Sequence, residues 1–160
     1  MNKKQKLPYP IRFSIKIITL ALVIFLILKF VCGVYPLHGN FMFPMMKDGD
    51  LAITLKITDY QNGDVVTYQR EGVRYFGRIV ALEGDEVEIS GTLKVNGLIP
   101  AEEVFYATTS ESEINTVVEE GSVFVLCDYR DDTSDSRTFG SISLDELDGK
   151  VIFLFRWRNL

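Results

Sequence analysis

Side chains that could carry chemistry are concentrated in one stretch near the carboxyl end, C-D-Y-R-D-D-T-S-D-S-R-T-F-G. Carboxylates and guanidinium groups alternate there at close spacing. Partly buried Asp–Arg pairs make charge-assisted hydrogen bonds that fix strand ends and loop geometry. We therefore expect these polar residues to stabilise the structure. They are Asp128, Arg130, Ser134, Asp135, Ser136 and Arg137.

The other candidate groups are isolated along the chain. His38 is the single histidine, and no His/Cys cluster has the spacing of a zinc site, so we predict no metal and no cofactor. Cys32 lies at the end of the apolar N-terminal run, where a membrane edge would be, and Cys127 lies in the distal part of the chain, which argues against a disulfide between them. Asn40 and Thr67 are weak nucleophiles without a neighbouring base.

An apolar run near the amino terminus precedes the part of the chain that holds these groups. Residues 17–35 are apolar apart from Lys29, close to the roughly 20 residues that cross a hydrocarbon core. Basic residues precede the run with no acidic residue among them, which places the amino terminus in the cytoplasm. We predict a cytoplasmic segment at 1–16, a single-pass anchor at 17–35 and an extracytoplasmic domain at 36–160, in a protein of the cell membrane.

Two other interpretations of this run fit the sequence less well. A cleaved signal peptide needs a shorter apolar region followed by small residues of the A-x-A type. A lipoprotein cysteine also follows small residues, whereas bulky Phe30 and Val31 precede Cys32. We therefore predict a retained anchor.

The charge of the outer domain narrows the choice of partner. All 22 acidic residues lie after residue 35, with 11 of the 17 Lys and Arg residues, so the formal charge there is 11 − 22 = −11. Such a surface argues against nucleic acid or anionic lipid as the main partner.

The outer domain has the pattern of an antiparallel, mainly β fold. Short alternating or apolar runs are separated by Gly, Asp and Asn, which is typical of strands joined by tight turns. We predict a partly closed barrel or curled sheets, a single helix-like stretch at 143–148, and an exposed loop at 108–120. The predicted strands are LAITLKI, DVVTYQR, VRYFGRIVAL, EVEIS, LKVNG, SVFVLCD and KVIFLFRWR.

Four segments, in this order, resemble the conserved boxes of type I signal peptidases. HGNFMFPMMKDGD is similar to G-x-S-M-x-P-T-L-x-x-G-D, and NGDVVTYQ is similar to the G-D-[IV]-V strand. RYFGRIVALEGDEVEI, followed by LKVNG, resembles the third box and its V-N-G turn. The last stretch resembles G-D-N-R-x-x-S-x-D-S-R-x-F-G, with Cys127 and Tyr129 among the departures. The resemblance covers nearly the whole chain.

The resemblance also shows what is missing. In that family a serine hydroxyl attacks the scissile carbonyl and a neutral lysine takes its proton. Phe41 stands at the serine position and Gly77 at the lysine position. No shift in alignment restores the pair, because no Ser lies between Ser14 and Ser90 and no Lys between Lys56 and Lys94. We therefore predict a pseudoenzyme.

Loss of catalysis does not require loss of peptide binding. The family binds an extended peptide that adds to the sheet, and strand addition uses main-chain groups rather than a Ser or Lys. We predict a groove near Phe41, Met42, Phe43, Pro44 and Gly77. The apolar run FMFPMM would place alternate side chains in the core and on a surface near the membrane. We further hypothesise that Phe41 fills the vacated space.

Three functions follow from the resemblance. Dyad-less relatives occur in pilus gene clusters of Gram-positive bacteria such as streptococci, which implies a chaperone or scaffold for a pilin or sortase. The main alternative is an active type I signal peptidase with unusual catalytic groups. A regulator that competes for preproteins is a third.

Overall fold

The computed structural model describes residues 8–108 and 113–156, without the side chains of residues 102 and 104. It begins with one helix, α1, at Tyr9–Val31, whose side chains are exposed almost throughout. Its 23 apolar-rich residues correspond to about 35 Å at 1.5 Å per residue, so this helix could span a membrane by length and composition.

The helix does not coincide with the predicted anchor. It starts at Tyr9, next to Pro8, and ends at Val31, where Cys32 becomes extended. Residues 32–36, most of them placed in the 17–35 anchor by sequence, form the first strand instead. Composition could not separate the two, because C-G-V-Y continues the apolar run. Gly33 and Pro36 favour the break, since both are poor helix formers.

Seven strands form the main sheet, and every pairing in it is antiparallel. Their order is β1-β2-β10-β3-β4-β8-β9. The bounds are β1 Cys32–Pro36, β2 Leu51–Leu55, β3 Val65–Arg70, β4 Val73–Ala81, β8 Ser122–Leu126, β9 Ile142–Ser143 and β10 Leu147–Phe155.

A second, three-stranded sheet projects from the segment between β4 and β8. Its order is β6-β5-β7. The strands are β5 Glu86–Ile89, β6 Leu93–Val95 and β7 Ile114–Val117. Two 3₁₀ turns, at Ala101–Val104 and Leu144–Glu146, and a short helix, α2 at Ser136–Phe139, complete the described elements.

All seven predicted strands are present, and the mainly antiparallel β fold is confirmed. The stretch 143–148 contains a 3₁₀ turn closed by a capping box between Ser143 and Glu146. Three strands and α2 were not predicted. β7, with the sequence INTV, lies inside the predicted 108–120 loop and pairs with β5. Its β-branched residues favour a strand, but it is only four residues long and polar and acidic residues surround it, so the segment as a whole has the pattern of a loop. Residues 109–112 of that loop lie outside the described residues.

Three apolar clusters fill the domain. One lies between the second sheet and the ends of β4 and β8, around Phe124 and Leu126. A second packs the segment before β2 against Phe76. The third lies on the opposite face of β3, β4 and β8, around Tyr68, Ile79 and Val125. Of the residues singled out by sequence, Met42 belongs to the second cluster and Phe41 packs against it.

Candidate functional site

The segment between β1 and β2 folds as a compact turn that is tied at its ends. The Leu37 amide donates to Asp50 O at 2.8 Å, and the Gly49 amide donates to Leu37 O at 3.0 Å. Met42 and Met46 are fully buried in the second cluster. Phe43 and Met45 remain about two-fifths exposed, at 42% and 37%. The apolar run therefore divides between core and surface, as the sequence analysis predicts, but not in the predicted alternation: the three residues between Met42 and Met46 are all exposed.

Phe41 lies half-buried at the edge of this turn. Its carbonyl oxygen accepts a hydrogen bond from the Tyr129 amide at 2.9 Å, which joins the first box to the last one. Its ring lies over Gly39 and is 5.9 Å, centroid to centroid, from the ring of Tyr75.

Phe41 and Tyr75 belong to a larger aromatic cluster. Tyr75 stacks against Tyr68 at 5.7 Å between ring centroids and contacts Phe139 at 5.3 Å. The hydroxyl of buried Tyr68 donates to Ser134 O at 3.2 Å. Rings therefore cover the face of β4 that also carries Gly77.

The space beside Gly77 is taken by Val125. A Cβ built on Gly77 would overlap Val125 Cγ1 and would lie 3.3 Å from Leu126 O. None of the three nearest atoms belongs to Phe41. The hypothesis that Phe41 fills this space needs correcting, because the neighbouring strand β8 already supplies the filling side chain. The sequence could not show this, since it does not give the β4–β8 register.

The last box is held together by buried ion pairs and hydrogen bonds. Asp135 is fully buried and accepts bonds from the Cys127 amide at 2.8 Å and from Arg137 Nη2 at 2.7 Å. Arg137 Nη1 also donates to Arg130 O at 2.6 Å. Ser136 Oγ accepts from the Val125 amide at 2.9 Å, which anchors α2 to β8. Four of the six predicted residues thus form one structural hub.

Two further ion pairs involve residues that the sequence analysis did not select. Asp128 accepts a bidentate pair of bonds from Arg78 Nε and Nη2, at 2.8 and 2.7 Å. Arg130 lies 3.8 Å from Glu103, Nη2 to Oε2, with both side chains almost fully buried. These partners are distant along the chain, which explains why no local pattern revealed them.

Glu103 holds the loop that follows the 3₁₀ turn at Ala101–Val104. Its carboxylate accepts bonds from the Thr108 amide, from Thr108 Oγ1 at 3.0 Å and from the Leu93 amide at 3.3 Å. Arg130 Nε donates to Tyr106 O at 2.8 Å. Burial lowers the pKa of Arg130, while the charge of Glu103 opposes that change.

The Cys127 thiol, at the start of the last box, is not poised to act as a nucleophile. Cys127 is fully buried, and burial, with the charge of Asp135 second, raises the pKa of its thiol. A raised pKa removes the thiolate that would attack a carbonyl. Ser134 makes its hydrogen bonds through the main chain: its carbonyl oxygen accepts from Tyr68 Oη and Cys127 Sγ, and its amide donates to Asp132 Oδ1 at 2.8 Å. Thr133 also departs from the family pattern quoted above, which has a serine there.

No metal-binding group of three His, Cys, Asp or Glu side chains occurs among residues 8–108 and 113–156.

The strand β4 has an edge that is only partly paired. Its pairing with β8 involves residues from Arg78 to Ala81, whereas its pairing with β3 extends over Val73–Arg78. In the described part of the chain, the edge of β4 along residues 73–77 that faces away from β3 therefore carries no strand. On this open edge, residues 73–75 are exposed or half-buried, whereas Phe76 and Gly77 are buried.

The fold and this site define a β domain of the signal-peptidase type, preceded by a helix that could span a membrane. The signal peptidase family, peptidase S26, matches residues 11–157, and the chain belongs to that family. The chain is similar to "Signal peptidase IB" of Staphylococcus aureus, with 29% identity over 96% of this chain and 91% of that protein. It is also similar to "Probable signal peptidase I-1" of Synechocystis, with 25% identity over 96% of this chain and 90% of that protein.

A solved structure shares the fold. The crystal structure of a signal peptidase I from Enterococcus faecalis aligns with a TM-score of 0.52 and 26% identity, covering 59% of this chain and 98% of that one. Together with the family match, this confirms the fold class that the sequence analysis predicts.

Proposed function

We propose that this chain is a non-catalytic member of the signal peptidase family that binds an extended segment of an exported protein. Its role would be that of a chaperone or scaffold in sortase-mediated pilus assembly, with a pilin or the sortase as partner. The pilus role rests on the dyad-less subgroup that the sequence resembles.

The observation that carries this proposal is the packing around Gly77. A lysine general base needs a pocket for its stem and a hydroxyl beside it. Here Val125 occupies the side-chain position, and the residue aligned with the nucleophile is a phenylalanine. The ion-paired hub and the open edge of β4 persist without the two reactive groups, which favours binding over cleavage.

The proposed topology follows from the helix and its flanks. α1 would anchor the chain in the cell membrane, with the basic residues before it in the cytoplasm. The β domain would then lie outside. Its formal charge of −11, as counted above, disfavours close approach to an anionic membrane surface away from the anchor.

The second candidate is an active signal peptidase with unusual groups. The two similar proteins favour it, since they are named a signal peptidase and a probable signal peptidase. The arrangement near Gly77 opposes it, because the nearest thiol, Cys127, is buried with a raised pKa.

Photo-crosslinking tests the scaffold role. A benzoylphenylalanine would replace Val73, which is 51% exposed at the open edge of β4, and Glu120 would be replaced in a matched control. In cells producing the pilin and sortase of the same organism, we expect one of these proteins to crosslink through position 73 and not through 120. Equal capture at both positions, or none at 73, would contradict the proposal.

A further inference from the structure

The hairpin between β3 and β4 carries a small cavity next to the open edge. Its volume is about 120 Å³, and it is lined by Arg70, Glu71, Tyr75 and Phe139. An apolar cavity of ~150 Å³ can hold a benzene molecule, so this space suits one slender side chain. Tyr75 belongs both to this cavity and to the edge where a strand could add.

The cavity has aromatic walls and one uncompensated negative charge. Arg70 Nη2 is paired with Glu146 Oε2 at 3.3 Å, so its charge is already offset. Glu71 is exposed, and its carboxylate has no ion pair or hydrogen bond within residues 8–108 and 113–156. It occupies the tight turn that connects Arg70 to Val73, with φ +50°, an uncommon conformation for glutamate.

Rings beside a carboxylate form an environment that attracts a cation. An ammonium group gains from the face of an aromatic ring and from a nearby negative charge. A lysine side chain adds a slender apolar stem that fits between rings while its charged end stays at the rim. An acidic side chain would instead be repelled by Glu71, and norleucine would match the stem without the charge.

We propose that this cavity is a specificity pocket for a lysine side chain in the extended segment that pairs with β4. The inference rests on the proposed peptide-binding function and adds the chemistry of the residue that is recognised. Glu71 holds the ammonium group, and the rings of Tyr75 and Phe139 contact the stem. Backbone pairing along residues 73–75, the accessible part of the open edge, sets the register that delivers the lysine to the cavity.

A peptide series tests the proposal with full-length protein in nanodiscs. The probes are fluorescein-labelled, end-blocked peptides of extended alanine–valine sequence with Lys, acetyl-lysine, norleucine or Glu at one central position. We expect the Lys peptide to bind about 10-fold more tightly than the norleucine and acetyl-lysine peptides. Glu71→Gln should reduce that preference to about 2-fold or less, whereas Glu120→Gln, a matched exposed control, should leave it unchanged. Glu71→Lys should favour the Glu peptide.

The possible results distinguish a failure of the lysine pocket from a failure of the proposed peptide-binding function. Equal binding of all four peptides, or a lysine preference that survives Glu71→Gln, would overturn the lysine pocket and leave peptide binding standing. Absence of binding by every peptide would overturn both.

Discussion

At the scale of single residues, the contact between Gly77 and Val125 decides whether this site could accept a side chain. Any Cβ at position 77 meets a buried valine methyl and a main-chain oxygen. Phe41, at the position of the family's serine, instead packs its ring against Tyr75. The two positions of the missing catalytic pair therefore differ: position 41 carries an aromatic ring, whereas at position 77 the place of a side chain is occupied by Val125.

A double-mutant cycle tests this contact. Gly77→Ala should lower the free energy of unfolding by about 1–3 kcal/mol, because overpacking a tight core is destabilising. In a Val125→Ala background the same change should cost markedly less, since the overlapping methyl is gone. Urea denaturation of the full chain in detergent measures both. Additive effects would show that Val125 does not limit position 77.

The Cys127 thiol gives a second prediction at this scale. Burial and the nearby Asp135 charge raise its pKa, so it stays protonated at pH 7–9, where an unperturbed thiol near 8.5 would ionise. In a Cys32→Ser background, alkylation of the native protein should be about 100-fold slower than in urea. Mass spectrometry follows the rates. Rapid labelling of the native protein would instead identify an activated thiol.

At the scale of elements, the last box joins β8, α2 and the first box. Asp135→Asn should lower the free energy of unfolding by about 3–5 kcal/mol, because it leaves buried Arg137 without its counter-charge. Glu88→Gln is the matched control, since the Glu88–Lys94 pair is exposed and worth about 0.2–1 kcal/mol. Chemical denaturation compares them. Equal losses would mean that the hub does not support the fold.

The loop after the second sheet is held by one buried carboxylate. Glu103→Gln should weaken the bonds to Thr108 and leave Arg130 without a charged partner, so amide exchange should rise across residues 93–108. Hydrogen–deuterium exchange with mass spectrometry measures this. The control is Glu86→Gln, whose side chain is exposed. Unchanged protection in the Glu103 variant would show that the loop is held by other contacts.

At the scale of the whole molecule, local sequence patterns predicted most of the fold. Turn residues marked the ends of seven strands, and those strands are present. β1 was hidden because its apolar residues continue the helix, and β7 because polar and acidic residues surround a strand of only four residues. Boundaries of this kind depend on pairing between distant segments.

The candidate site was predicted less completely, for the same reason. The clustering of Asp135, Ser136 and Arg137 followed from one stretch of sequence. The partners Arg78 and Glu103 come from other strands and loops, so no spacing rule links them to the last box. The filling of the Gly77 position by Val125 required the register of two paired strands.

Cleavage of a signal-peptide substrate by the full-length protein in liposomes tests the central claim most directly. The protein would be in molar excess, with an active signal peptidase as positive control and mass spectrometry as readout. A Phe41→Ser/Gly77→Lys/Val125→Ala variant would be tested beside it. The third change is needed because the Val125 side chain occupies the place of a side chain at position 77. We predict that the wild-type protein leaves the substrate intact. Cleavage at one defined site by the wild type would contradict the account and direct attention to an unrecognised nucleophile near Phe41.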